Sequence, residues 1–250
     1  MESWGDPGAP RVIFLHGITG HGRHARRLAE GWLTDRHHVL APDLLGHGAS
    51  PYEPPWDIDA QVESILASVE REPATWIGHS FGGRIAFELA TREPALVEKL
   101  VLLDPAIRLD PAIALYGAEN AREERAYVSF EAGIDRRFEE SALFTAVREL
   151  VEEELSGHLV RSDDGLWRYR YSQASVVAAY GEMASPPPRF ELARVPTLIV
   201  LGESSYLPYD LLTAHRAALG DLLQVVVVPG GHTLLWDAPE ETASAIAAFL

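Results

Sequence analysis

The chain has 250 residues, 47% of them hydrophobic and 23% charged, and carries a formal net charge of −16. That is ample apolar material for one large domain or two small ones. The acidic excess argues against nucleic acid or an anionic membrane surface as a partner, and the absence of cysteine excludes disulfides and thiolate metal sites.

The first residues, Met1-Glu2-Ser3-Trp4-Gly5-Asp6-Pro7, are acidic and polar and lack the basic start and apolar run of a signal peptide. Apolar runs such as residues 197–201 and 225–228 are too short to span a bilayer. The expectation is a cytoplasmic protein with no membrane span, a monomer or homodimer.

Arg11-Val12-Ile13-Phe14-Leu15 predicts a strand buried on both faces. It runs into a glycine-rich loop, His16-Gly17-Ile18-Thr19-Gly20. The spacing of Leu28, Ala29 and Trp32 predicts a helix over 23–33 with those three side chains inward. A strand over 37–41 leads to Pro42-Asp43-Leu44-Leu45-Gly46-His47-Gly48-Ala49-Ser50, a tight loop in which Asp43 and His47 are read as bracing residues. Val62, Ile65, Leu66 and Val69 mark a helix over 59–71. A strand over 99–103 ends at Asp104-Pro105.

From 107 to 188 the pattern becomes charged and helical, with Phe138, Leu143-Phe144, Val147, Leu150-Val151 and Leu155 recurring mostly at three- and four-residue steps. Strands return over 196–202 and 225–228, with a helix over 211–219 between them. The second of these strands ends at Pro229-Gly230-Gly231-His232, and a helix over 240–250 closes the chain. Strands alternating with helices specify an α/β fold with a mostly parallel sheet covered on both faces. Residues 107–188 are expected as a helical cap inserted after the strand ending at Asp104, and residues 1–106 and 189–250 as the core.

The stretch that organises the rest is Thr75-Trp76-Ile77-Gly78-His79-Ser80-Phe81-Gly82-Gly83-Arg84. It reads as strand, sharp turn and helix, with Ser80 at the apex and glycines two residues either side. A serine at such a turn sits in strained backbone, and only very small neighbours permit the close packing around it. In return its hydroxyl stands at the positive end of a helix, and the Phe81 N–H faces a developing oxyanion. Arg84 is read as a solvated residue of that helix.

Gly78-His79-Ser80-Phe81-Gly82 resembles the nucleophile elbow of the α/β-hydrolase fold superfamily, in its serine esterase and lipase branch with a helical cap. The resemblance extends to Asp43-Leu44-Leu45-Gly46-His47-Gly48-Ala49-Ser50 and to Gly230-Gly231-His232-Thr233. It implies that the His16-Gly17 loop supplies a second oxyanion donor, the Ile18 N–H, beside that of Phe81. It implies His232 as the general base, since a serine hydroxyl needs one to become a nucleophile.

The sequence departs from the family at the third member. The usual acid position after the strand ending at Gly202 holds Ser205 and Tyr206. Three carboxylates remain as candidates: Asp104, Glu203 and Asp210, the last equally readable as a helix N-cap. Asp104 is preferred, because some branches place the acid at that strand end. His16, Gly17, His79, Phe144, Trp167 and Trp236 are the expected substrate-binding residues, with Leu143, Tyr169 and Tyr171 as further wall candidates. No carboxylate cluster accompanies His21/His24 or His37/His38 at usable spacing, so no metal is expected, and the chemistry calls for no cofactor.

The resemblance thus implies a serine hydrolase acting on small to medium carboxylic esters. Two alternatives stay open. One keeps the fold with lactonase, carbon–carbon bond hydrolase or menaquinone-pathway lyase activity. The other is a non-catalytic small-ligand receptor whose acid has been lost.

Overall fold

The computed structural model describes every residue of the chain except Phe144 and Pro208. In chain order its strands are β1 (Glu2–Trp4), β2 (Arg11–Leu15), β3 (His38–Ala41), β4 (Ala74–His79), β5 (Val97–Leu103), β6 (Leu159–Arg161), β7 (Trp167–Tyr169), β8 (Thr197–Gly202) and β9 (Leu223–Val228). The helices are α1 (Arg26–Leu28), α2 (Ile58–Ser68), α3 (Phe81–Arg92), α4 (Pro111–Ala121), α5 (Phe130–Ser141), α6 (Arg148–Leu155), α7 (Gln173–Ala184), α8 (Leu212–Leu219), α9 (Leu234–Asp237) and α10 (Pro239–Phe249).

A seven-stranded sheet runs β1-β3-β2-β4-β5-β8-β9. The short edge strand β1 pairs antiparallel with β3, and the other pairings are parallel. Both faces of the central strands β2, β4 and β5 are dry, which explains their apolar runs. Ile13, Leu15, Trp76, Leu100 and Leu102 pack on one side with Ile65 and Ile85. Val12, Phe14, Ile77, Val101 and Leu103 pack on the other with Leu28, Leu33 and Ile246. Because the strands are parallel, the loops that follow β2, β4, β5, β8 and β9 converge at one edge of the sheet.

The structure alters three sequence readings here. Residues 22–33 are not one regular helix: a tight turn at Gly22–Ala25 passes through α1 into a wider π-turn at Ala29–Leu33. The wider turn rotates later residues about the axis, so Leu33 points inward and Trp32 is 39% exposed. Arg84 is not solvated but 2% exposed. Its guanidinium pairs with Glu88 and donates to the carbonyls of Ile107 at 2.5 Å and Pro186 at 3.0 Å. One side chain on α3 therefore ties down both ends of the segment between β5 and β8.

That segment is also not purely helical. It carries α4, α5, α6 and α7 together with the antiparallel hairpin β6–β7. Alternation across Trp167-Arg168-Tyr169 has strand period, and Gly165, at φ 85°, allows the turn. Ile134, Val151, Leu155, Leu159 and Tyr169 give the segment a small core of its own, which Trp236 from α9 joins.

Candidate active site

β4 ends at His79, and the chain turns sharply into α3 through Ser80, held at φ 53° and ψ −118°. A non-glycine residue at positive φ is strained and persists only where its surroundings fix it. Here the Ser80 N–H donates to Leu103 O at 3.1 Å, and the Ser80 carbonyl accepts from Gly83, Arg84 and Ala106. The glycines make this possible: a Cβ on Gly82 would stand 2.2 Å from Leu15 O, so α3 could not seat against the end of β2. Gly17 also brings the loop after β2 close to the serine, since a Cβ there would meet Ser80 Cβ at 3.0 Å.

In the register of β4 and β5, His79 lies opposite Leu103, so the residues following them, Ser80 and Asp104, emerge side by side. Asp104 also has positive φ, 40°. Its Oδ1 accepts from the Gly202 N–H at 3.0 Å, and its Oδ2 accepts from Ser205 Oγ at 2.5 Å and from His232 Nδ1 at 2.6 Å. Asp104 is thus the carboxylate that meets His232. Glu203 is exposed. Asp210 forms a surface pair with Arg108 at 3.3 Å and does not cap a helix, Leu211 standing at the N-cap of α8. Ser205, at the position where the family resemblance leads one to expect an acid, donates to this carboxylate at the end of the neighbouring strand.

His232 is placed by its own loop. Its carbonyl accepts from His79 Nε2 at 2.9 Å, and the preceding Gly231 N–H donates to Asp237 Oδ2 at 2.9 Å. Burial and the nearby His232 ring hold His79 well below the usual histidine range, so it stays neutral and serves as a fixed donor.

The loop after β2 is braced from below. His16 Nδ1 donates to Gly17 O at 2.8 Å while its Nε2 accepts from the Leu44 N–H at 3.0 Å. Burial pushes His16 down to about 4, which suits an acceptor nitrogen. His47 accepts from the Thr19 N–H at 3.2 Å, and Asp43 accepts from Gly22 and Ala49. The result is a rigid loop with Thr19 at φ 59°. The backbone N–H groups of Ile18 and Phe81 have no hydrogen-bond partner among the described residues.

Ser80 and His232 open onto a cavity of about 760 Å³. Of the expected wall residues, Gly17, His79, Trp236 and Tyr171 line it. His16 does not; it lies beneath the loop as a brace. Trp167 does not either, because it sits in β7 with its ring against Phe130, and Leu143 and Tyr169 also turn away into the small core. Phe144 lies outside the described residues.

Sequence reasoning missed a buried polar cluster at one end of the cavity. Glu154 of α6 accepts from His24 Nδ1 at 2.8 Å and Trp236 Nε1 at 2.8 Å, and His21 lies 3.8 Å from it. A carboxylate does accompany His21 and His24, but it comes from 130 residues away, where no local spacing could signal it. Among the described residues, no group of three or more histidine, cysteine or acidic side chains has the arrangement to hold a metal ion.

The model of the alpha/beta hydrolase family matches residues 12–245. Lipase LipV of Mycobacterium tuberculosis is 32% identical over 257 residues, spanning 98% of this chain and 95% of the lipase. The 2-(acetamidomethylene)succinate hydrolase of Mesorhizobium japonicum is 32% identical over 251 residues, spanning 96% and 88%. A solved E-2-(acetamidomethylene)succinate hydrolase superimposes with a TM-score of 0.85 at 26% identity, over 99% of this chain and 92% of that one.

Proposed function

We propose, for a chain that belongs to the alpha/beta hydrolase family, that it is a serine hydrolase cleaving small to medium carboxylic esters through an acyl-enzyme on Ser80. Hydrolysis is the chemistry common to the named relatives, among them a lipase. The observation that carries the finer reading is the 2.6 Å bond between His232 Nδ1 and Asp104 Oδ2 beside the strained Ser80.

In this reading Ser80 Oγ attacks the ester carbonyl while His232 takes its proton through Nε2. Asp104 holds the imidazole by Nδ1–H and stabilises the imidazolium. The N–H groups of Ile18 and Phe81 receive the oxyanion of the tetrahedral intermediate. Collapse expels the alcohol, which takes the proton from His232 as it leaves. Water, deprotonated by His232, then attacks the acyl-enzyme, and the acid departs as Ser80 recovers its proton. Residues 107–188 serve as the cap over this cavity, with residues 1–106 and 189–250 as the core that holds the reacting groups.

The test is intact mass after incubation with a fluorophosphonate, wild type beside Ser80→Ala. A single adduct on wild type, absent from the variant, is the expected result, accompanied by turnover of nitrophenyl esters. A folded wild type that takes no label and cleaves no ester would overturn the reading and favour a ligand-binding role.

A further inference from the structure

The cavity over Ser80 contains a positive charge that the reaction above does not use. Arg137 of α5 lines it, in a chain whose net charge is −16, yet no carboxylate lies within ion-pair distance of it among the described residues. The other cations and acids of the wall are paired off. Arg125 and Arg136 both engage Glu140, Arg136 also reaches Glu139, and Glu154 is taken by His24 and Trp236. The remaining lining acid, Glu123, is exposed to solvent.

What holds Arg137 is neutral. Nη1 donates to Thr19 Oγ1 at 2.9 Å, Nη2 lies 3.5 Å from Thr19 O, and the guanidinium carbon stands 4.4 Å from the centre of the Tyr169 ring. The Nε–H is fully buried with no partner. Leaving a half-buried guanidinium without an anion, with its Nε–H buried and unpartnered, is costly, and a ring face, one hydroxyl and one long carbonyl contact return only part of that cost. Thr19 directly follows Ile18, so the charge is fixed to the loop that offers the oxyanion donor. Tyr171 lines the same wall; burial raises its phenol above the usual range, so it remains a protonated donor.

We infer that Arg137 is the anion-recognising element of this cavity, and that the preferred ester carries a carboxylate or phosphate-type group, placed by the guanidinium away from the scissile carbonyl. The inference rests on the serine hydrolase reading and adds the charge class of the substrate. The planar donor fork of arginine matches such oxyanions, and binding energy from a remote group positions the reacting one.

The test compares nitrophenyl hydrogen adipate with nitrophenyl methyl adipate, and a nitrophenyl phosphonoalkanoate with its dimethyl ester. Each pair differs only in whether the far end is charged. Wild type should favour the charged member of at least one pair, and which pair responds identifies carboxylate or phosphate. In Arg137→Gln the charged-to-neutral ratio of kcat/KM should fall by about tenfold to a hundredfold, as expected for loss of a charge-assisted hydrogen bond, chiefly through KM. Arg137→Lys should restore part of it.

An unchanged ratio, including an equal loss on both esters, would overturn the inference and leave Arg137 as a support for Thr19. If Arg137→Gln does not fold, wild type decides: adipate must protect Ser80 from fluorophosphonate better than adipamide does, or a phosphonoalkanoate better than its dimethyl ester, and equal protection within both pairs would overturn the inference. Labelled Ser80 with turnover of the neutral ester, but no charge preference, defeats this inference alone. Absence of labelling and of all turnover defeats the hydrolase reading beneath it.

Discussion

Ser205 Oγ donates at 2.5 Å to Asp104 Oδ2, the same oxygen that accepts from His232 Nδ1 at 2.6 Å. A residue of the loop after β8 thereby helps to hold the carboxylate at the end of β5. Asp104→Asn should keep the fold, because the Gly202 contact needs only an acceptor. It should lower kcat by about 10⁴, as loss of the histidine's orienting acid does in serine proteases. Ser205→Ala should be milder, about tenfold, since one hydrogen bond to a charged group is lost while the acid stays. Steady-state ester kinetics with circular dichroism on both variants checks the order; a larger loss from Ser205→Ala than from Asp104→Asn would contradict it.

Arg84 is predicted to be a stability residue. Arg84→Met removes the main partner of Glu88, whose side chain is 7% exposed, and frees the carbonyls of Ile107 and Pro186. Breaking a buried pair from one side costs about 3–5 kcal/mol. The low end is expected here, because Arg92 still reaches Glu88 at 3.2 Å. Urea unfolding measures it.

Gly82→Ala should abolish fluorophosphonate labelling and lower Tm. Its Cβ would meet backbone oxygens of Leu15 and His16 at 2.2 and 2.5 Å, atoms fixed by the sheet that cannot step aside. Normal labelling of a Gly82→Ala protein would show that the elbow is looser than the structure has it.

Acid should destabilise the fold within a defined window. Burial lowers His16 and His21 to about 4, and His47 to about 3, from an ordinary value near 6.5. As pH falls through 6.5 the unfolded chain takes up protons at these histidines while the folded chain does not. Stability therefore declines from about pH 6.5 towards pH 4, where His16 and His21 protonate in the fold as well. Each contributes about 1 kcal/mol per pH unit across that interval. Denaturant midpoints at pH 7.5, 6 and 5 give the slope; a flat profile would mean that these imidazoles are open to water.

Much of this architecture is written locally. The unbroken apolar runs of β2, β4, β5 and β8 announce a sheet covered on both faces, and the glycines around Ser80 announce the elbow, because each depends on residues a few positions apart. The turn at Gly165 is equally local, but the charged, helix-rich pattern around it masks the hairpin. The remaining differences share another cause. Ser205 and Asp104 are 101 positions apart, and Arg84 finds Pro186 across 102. Arg137 reaches Thr19 over 118. An isolated serine or arginine in a polar stretch reads as surface until the fold supplies its partner.

The topology also decides where the molecule can be cut. Ser80, Asp104, Ile18, Phe81 and Arg137 all precede the exposed turn at Asp163 and Asp164, whereas His232 follows it, together with β8 and β9. Scission at that turn would leave Ser80 and Asp104 at the ends of adjacent strands of one fragment and the proposed base, His232, on the other. Recovered turnover on mixing would then report the docking of β8 against β5, making the chain a ready split reporter whose signal is the return of a single imidazole.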